Sequence, residues 1–239
     1  MKRLILDQEL KADNPRLTPE DSHYLTNVLR MSPGDKFILV DPKGLEHRVL
    51  LVSVKKQGAL FQIEEQLLPS RVEAGVSVDL WLPLLKGEKV EIVLQKAVEL
   101  GVASITLWSA KRSVVRPAGN EEKKFTRWQA IAKNAAQQCG RTKVPKIRGV
   151  MDLKDVPREG TRIFAWELER ALPLKSALAG SPQSITVLTG PEGGLDPVEA
   201  EFLHAAGFQS VTLGARILRA ETAAITLLAC TMFALGQLE

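Results

Sequence analysis

Several things are scarce in this 239-residue chain. It has two cysteines, three histidines and one tyrosine, and aromatic residues make up only 5% of it. Cys139 and Cys230 have no metal-ligand spacing, which excludes a disulfide scaffold and a cysteine-based zinc site, and no metal is expected. They read as buried free thiols of a reducing compartment. The most apolar stretch, Thr222 to Leu238, is too short and too broken by Thr and Gly to span a bilayer. Met1-Lys2-Arg3 is followed by three apolar residues and then Asp7, unlike a secretory leader. The expectation is a cytoplasmic protein without a membrane partner. Also missing are the Gly-Lys-Ser/Thr ending of a phosphate loop and the G-x-G-x-x-G spacing of a dinucleotide turn.

What is present is an uneven charge distribution. Lys86 to Arg148 holds 14 Lys and Arg against 5 Asp and Glu, while Gly149 to the end holds 7 against 11. A basic middle fits a surface facing a polyanion, and it fits a set of solvated helix faces equally well. With so few aromatics, nucleic-acid recognition would lean on charge and shape.

Turn chemistry divides the chain in two. Thr18-Pro19-Glu20-Asp21 reads as a helix start, with Thr as N-cap, Pro in the first turn and acids after it; the helix is expected to reach Arg30. Short apolar runs follow at Phe37–Val40, Arg48–Val54 and Leu60–Ile63, with a break near Gly58, as in a small antiparallel barrel or sheet. Residues 1–70 thus form one expected domain, Pro69 to Gly75 a linker, and 75–239 a second. In the second, strands at Val76–Leu84, Ile105–Trp108, Arg162–Trp166, Ile185–Leu188 and Val211–Leu213 alternate with helices. The helices are expected at Lys86–Leu100, at Glu121–Cys139, from Asp196 to Gly207 and at Thr222–Leu238. This is the α/β pattern of a mostly parallel sheet.

Two loops stand out at expected strand ends. Leu188-Thr-Gly-Pro-Glu-Gly-Gly-Leu195 is rich in glycine yet holds Glu192, whose charge would repel a polyphosphate. Leu213-Gly-Ala-Arg-Ile-Leu-Arg-Ala-Glu-Thr222 alternates charged and apolar residues. Strand ends of open α/β sheets are where ligands bind, so a shared pocket for a neutral or cationic ligand is expected. Arg219 and Glu221 read either as a structural pair or as chemistry. None of the histidines (His23, His47 and His204) lies in these loops.

These loops resemble the signature of the SPOUT-class RNA methyltransferases, in particular those that methylate N3 of a uridine in 16S rRNA. So do Gln95-Lys-Ala-Val-Glu-Leu-Gly-Val102, Ala136-Gln-Gln-Cys-Gly-Arg141 with Val144-Pro145, and His23-Tyr-Leu-Thr-Asn-Val-Leu-Arg30 with Pro33-Gly-Asp35. Ala215 stands where the family often has Pro. The resemblance implies a trefoil-knotted SPOUT domain that dimerises with itself, a PUA-like RNA-binding barrel in front of it, and S-adenosylmethionine as cofactor. The sulfonium cation of that cofactor tolerates Glu192 where phosphate would not.

Carried onto this chain, the cofactor-binding set is Glu167, Leu188, Thr189, Gly190, Pro191, Glu192, Gly193, Leu213, Gly214, Ile217, Leu218 and Thr222, with Ala165-Trp166-Glu167 as a third wall. Arg219 and Arg216 are expected to stabilise negative charge on the base, and Glu221 to act as base or to orient an arginine. For contacts to 16S rRNA or the small subunit the expected residues are Arg3, Arg30, Lys86, Lys89, Arg112, Arg116, Arg127 and Arg141. Lys86 and Lys89 sit at an expected helix N-terminus, where the helix dipole disfavours cations, which argues for a function. Three rival readings stay open: a non-catalytic RNA-binding factor, the same class of enzyme acting on a ribose 2′-hydroxyl or a tRNA base, and a nucleotide-binding metabolic enzyme. The missing phosphate-loop lysine argues against the third.

Overall fold

The structure, a computed structural model, describes residues 1–9, 16–116, 121–178, 180 and 182–238. It divides into two compact units: Met1–Glu73 with Ala136–Val144, and Ala74–Ala135 with Pro145–Glu239.

The first unit is built on a four-stranded sheet in the order β1 (Arg3–Ile5), β2 (Lys36–Val40), β3 (Glu46–Lys55) and β4 (Gly58–Gln66). β1 pairs with β2 in parallel and the other neighbours are antiparallel. Helix α1 (Pro19–His23) starts as its sequence dictates: the Thr18 hydroxyl accepts the Asp21 N–H and Pro19 opens the first turn. The expected α-helix to Arg30 is not continuous. After His23 the turns widen into a π-helix over Tyr24–Val28, and Arg30 has a φ of 52°. That widening lets Tyr24, Leu25 and Leu29 all pack on the core of Phe37, Leu39, Val49, Leu51 and Phe61. The break expected near Gly58 is present just before it, and Gly58 itself is the first residue of β4. The two-residue turn is Lys56-Gln57, and Gly58, at φ +123°, lies so close to the Leu17 carbonyl that a Cβ would collide with it.

Ala136–Val144 belongs to this unit through Glu73. The Glu73 carboxylate accepts from Arg141 (Nη2 2.7 Å, Nε 3.1 Å), from the Thr142 N–H (2.9 Å) and from the Lys143 N–H (3.0 Å). The Gln137 side chain accepts the Ile5 N–H at 2.9 Å. A division by sequence position alone does not anticipate this excursion.

The second unit carries a six-stranded parallel sheet. In chain order its elements are β5 (Ser77–Pro83), α2 (Lys89–Glu99), β6 (Ser104–Trp108), α3 (Glu121–Cys139), β7 (Lys146–Met151), β8 (Thr161–Ala165), α4 (Leu174–Ala177), β9 (Ser184–Thr189), α5 (Pro197–Ala205), β10 (Gln209–Val211) and α6 (Ala220–Ala234). The last four residues of α3 count with the first unit. In the sheet the order is β10-β8-β9-β5-β6-β7, so β9 lies between β8 and β5. Trp81, Trp108, Phe164, Leu188, Leu203 and Phe208 form one of its core clusters.

Several boundaries move. α2 begins at Lys89 rather than Lys86, because Gly87 turns the chain at φ 66° just before it. β10 ends before Leu213, and α6 starts at Ala220 and stops at Ala234. β7 and α4 were not expected. Cys139 and Cys230 are exposed, not buried: each lies on the solvent side of its helix. α5 has the capping box its sequence implies, between Asp196 and Glu199.

Replacing Arg141, which is only 6% exposed, strands the Glu73 carboxylate. Arg141→Met is expected to cost about 2–4 kcal/mol of stability, read as an earlier urea midpoint for the first unit. An unchanged midpoint would show that the pair contributes nothing.

Candidate functional site

The site lies outside the carboxyl ends of three adjacent strands, β10, β8 and β9, where an open α/β sheet leaves room for a ligand. There the chain encloses a cavity of about 570 Å³.

The segment after β8 supplies one wall, through Ala165, Trp166, Glu167 and Arg170. Glu169 shapes it. One of its carboxylate oxygens accepts the N–H groups of Arg170 (2.9 Å), Ala171 (2.7 Å) and Leu172 (3.2 Å), and the other accepts the Ser210 hydroxyl at 2.5 Å. The Ser210 hydroxyl and these amides hold the Glu169 carboxyl down to about 2, against an opposing effect of burial. The Trp166 N–H donates to Val211 O and the Thr212 N–H to Leu172 O, so this wall is stitched to β10.

The loop after β9, Thr189–Gly194, supplies the second wall. Its glycines serve close approach. A Cβ on Gly193 would lie 2.9 Å from Arg112 O, and one on Gly194, whose φ is +75°, would collide with the Glu167 carboxylate. The loop after β10 closes the third side with Thr212, Leu213, Gly214, Arg216, Ile217, Leu218 and Arg219. It turns at Gly214 (φ +103°), whose N–H is accepted by the Thr212 hydroxyl. Thr189 Oγ1 and Trp166 Nε1 are buried without a hydrogen-bond partner, and both residues line the cavity. Such atoms are costly unless a ligand satisfies them.

Charge at the rim is organised around Lys89, which also lines the cavity. Its ammonium is 3.3 Å from Glu192 Oε1 and 3.2 Å from Glu221 Oε2. The ion pair with Glu221, together with Glu192, raises the Lys89 pKa despite partial desolvation. Burial pushes the Glu192 carboxyl up, but the Lys86 N–H, its own N–H and the Lys89 ammonium outweigh it, and the net shift is downward.

Of the residues singled out for the cofactor, Glu167, Thr189, Gly190, Pro191, Glu192, Gly193, Leu213, Gly214, Ile217 and Leu218 line the cavity. Leu188 is not among the lining residues: strand alternation turns its side chain into the core, where it is 0% exposed, and the contact expected of it is left to its main chain. Thr222 is not among the lining residues either, because α6 starts early and carries it past the rim. Arg216 and Arg219 line the cavity, are exposed, and have no side-chain partner among the described residues. Glu221 is bound to Lys89, not to Arg219. Arg170, Thr212 and Gly194 line the cavity without having been singled out. Gly194 had a signal in its place beside Gly193, whereas nothing in the sequence marks Arg170.

The residues expected to face RNA are mostly engaged elsewhere. Arg3 pairs with Glu46. Arg112 pairs with Asp196, and Arg127 pairs with Glu91. Arg116 donates to Ala110 O and Lys111 O. Arg141 is buried on Glu73 and Lys89 is in the cavity, so neither presents a free cation to a phosphate. Arg30 and Lys86 are exposed. Among the described residues no group of three or more His, Cys, Asp or Glu could hold a metal, and no helix is long and apolar enough to cross a membrane.

Comparison with known proteins follows the same division. Residues 72–232 match the family described as an RNA methyltransferase domain, and residues 17–64 match an RNA methyltransferase PUA domain. Over 218 residues the chain is 34% identical to ribosomal RNA small subunit methyltransferase E of Bacillus subtilis, covering 87% of this chain and 85% of that one. The crystal structure of ribosomal RNA small subunit methyltransferase E from Neisseria gonorrhoeae bound to S-adenosylmethionine superposes with a TM-score of 0.86 at 32% identity, covering 98% and 97% of the two chains. A putative methyltransferase from Legionella pneumophila with bound S-adenosylmethionine gives 0.82 at 30% identity, covering 97% of each.

Glu169 gives a pH signature. A depressed carboxyl contributes stability that is complete above its ordinary value of 4.5 and is lost as the pH falls towards about 2. Glu169→Ala is expected to speed amide exchange across residues 166–172 about tenfold at neutral pH. The gap from wild type should close as the pH is lowered through that window. A gap independent of pH would exclude the carboxylate as its cause.

Proposed function

The chain belongs to the RNA methyltransferase family, whose domain spans residues 72–232, and on that premise we propose that it transfers a methyl group from S-adenosylmethionine to N3 of a uridine in 16S rRNA. One observation carries the reading: a glycine-lined cavity at three parallel strand ends, capped by Ile217 and Leu218 and faced by two arginines without partners. The methyltransferase E relatives and the two S-adenosylmethionine-bound neighbours support it.

The residues present fit this cofactor. Ile217 and Leu218 offer apolar cover for an adenine, and the loops 189–194 and 212–214 offer main-chain groups and the unpartnered Thr189 hydroxyl for polar ones. The carboxylates at the rim suit a cation and would oppose a polyphosphate. When bound, S-adenosylmethionine supplies an activated methyl group. The protein's share is to align the base in line with it and to exclude water. N3 of uracil carries a proton, so its attack leaves negative charge to be stabilised. Arg219 and Arg216, exposed at the cavity and without internal partners, are suited to that. Glu221 is half-buried on Lys89, and this favours an orienting role over that of general base.

RNA contact falls to the surface cations that remain, Arg30 and Lys86 first, with Arg112, Arg116 and Arg127 able to add a phosphate to the partners they already hold. Arg141 leaves that set. The match to a PUA domain over 17–64 supports RNA binding by the first unit. Insertion of β9 between β8 and β5, with β10 beyond β8, is compatible with a trefoil knot in the second unit. Phe233, 64% exposed on α6, suits a homodimer. A ribosomal RNA substrate implies a cytoplasmic protein.

Loss of one N3-methyluridine from 16S rRNA in a strain lacking the gene, read by mass spectrometry, is the expected result; an unaltered modification profile would overturn the assignment. Gly193→Val is expected to weaken S-adenosylmethionine binding at least about tenfold by calorimetry. It would act indirectly, since its side chain would press on Arg112 and displace the loop. Arg219→Ala should lower kcat on the order of a hundredfold and leave cofactor affinity within about twofold. Full turnover would remove Arg219 from the mechanism.

A further inference from the structure

Lys89 is the first residue of α2, a position where the helix dipole disfavours a cation. Its ammonium lies between two carboxylates that come from different walls of the cavity. Glu192 belongs to the loop after β9. Glu221 is in the first turn of α6, two residues beyond Arg219. The three side chains are 31%, 22% and 17% exposed, so the pairs are only partly screened by solvent. Glu192 also accepts the Lys86 N–H at 3.0 Å, which pins its loop to the start of α2 at a second point. Among the described residues, no other side-chain hydrogen bond or ion pair joins residues 189–195 to residues 213–222.

We propose that Lys89 is a positioning residue that holds the glycine-rich loop and the arginine-bearing loop in register by ion-pairing Glu192 and Glu221 together. The proposal rests on the cofactor reading of the cavity. It replaces the expectation that Lys89 binds a phosphate. With its ammonium between two carboxylates, Lys89 has no unpaired positive charge left for a phosphate. Lys89 touches neither the base nor the methyl group. It acts through the two loops, one lining the cofactor and the other setting the direction of Arg219.

The test compares full-length wild type with Lys89→Met and Lys89→Arg. Wild type binds S-adenosylmethionine in a calorimeter. Lys89→Met should weaken that affinity about tenfold, and Lys89→Arg should restore most of it, because a guanidinium can also span two carboxylates. Affinity for 16S rRNA and its dependence on salt should not change. In cofactor-free protein, amide exchange in peptides covering 188–195 and 213–222 should rise together in Lys89→Met, with the melting temperature held within a few degrees. Should that variant not fold, Lys89→Gln carries the same expectations. Unchanged cofactor affinity in a variant whose wild type binds would overturn the proposal. So would a loss of RNA affinity with a salt slope reduced by about one, the mark of a lost phosphate contact. If wild type binds no S-adenosylmethionine, the cofactor reading fails by itself, and the exchange experiment still decides: no joint rise in the two peptides sinks the role of Lys89.

Discussion

Strand β9 hydrogen-bonds on both sides, to β8 and to β5, and the site depends on that insertion. Parallel pairing points all strands the same way, so neighbours in the sheet deliver their loops to one edge. With β9 beside β8 and β10 on the other flank of β8, three loops distant in sequence become the three walls of one cavity. Had β9 been added at the outer edge, the glycine-rich loop and the arginine-bearing loop would not face each other across Glu167. The close fit of Gly194 against the Glu167 carboxylate is the local expression of this order, since only a residue without a Cβ lets the two walls meet.

A second layer of organisation is electrostatic. The walls bring carboxylates together: Glu167, Glu192 and, just behind the rim, Glu221. Their mutual repulsion would spread the loops apart if nothing intervened. Lys89 takes two of them, and Glu169 is consumed by the amides of its own turn and by Ser210. Arg216 and Arg219 have no side-chain partner among the described residues and face the cavity. A cavity that tolerates a cation beside carboxylates and presents arginines to a base matches the two charges a methyl transfer of this kind has to manage.

The same principle governs the first unit, where one half-buried carboxylate gathers a distant segment. Burial alone would raise the Glu73 pKa, yet the Arg141 guanidinium and two main-chain amides bring it below its ordinary value. The cost of hiding the charge is therefore met by its partners. Arg141 is thereby buried against Glu73, although the sequence placed it among the residues expected to contact RNA.

What the sequence determined by itself is what short-range chemistry controls. Thr18-Pro19 and Asp196-Pro197 start helices because a side-chain oxygen meets an amide two or three residues on, and the bounds of α3 follow from its own apolar stripe. The β/α alternation implied the parallel sheet, and the two loops with their flanking segments were enough to indicate the family and the ligand class. What only the tertiary structure decided involves partners far apart in the chain. Glu192 lies 103 residues from Lys89, and Glu73 lies 68 from Arg141. Whether Leu188 or Thr189 faces the cavity turned on one step of strand alternation, and whether a cysteine is buried turned on which side of its helix met solvent. Strands as short as β1 had too few residues to show a period. Charge type can be read from a sequence, but the work a charge does is set by what folding places within about 3–4 Å of it.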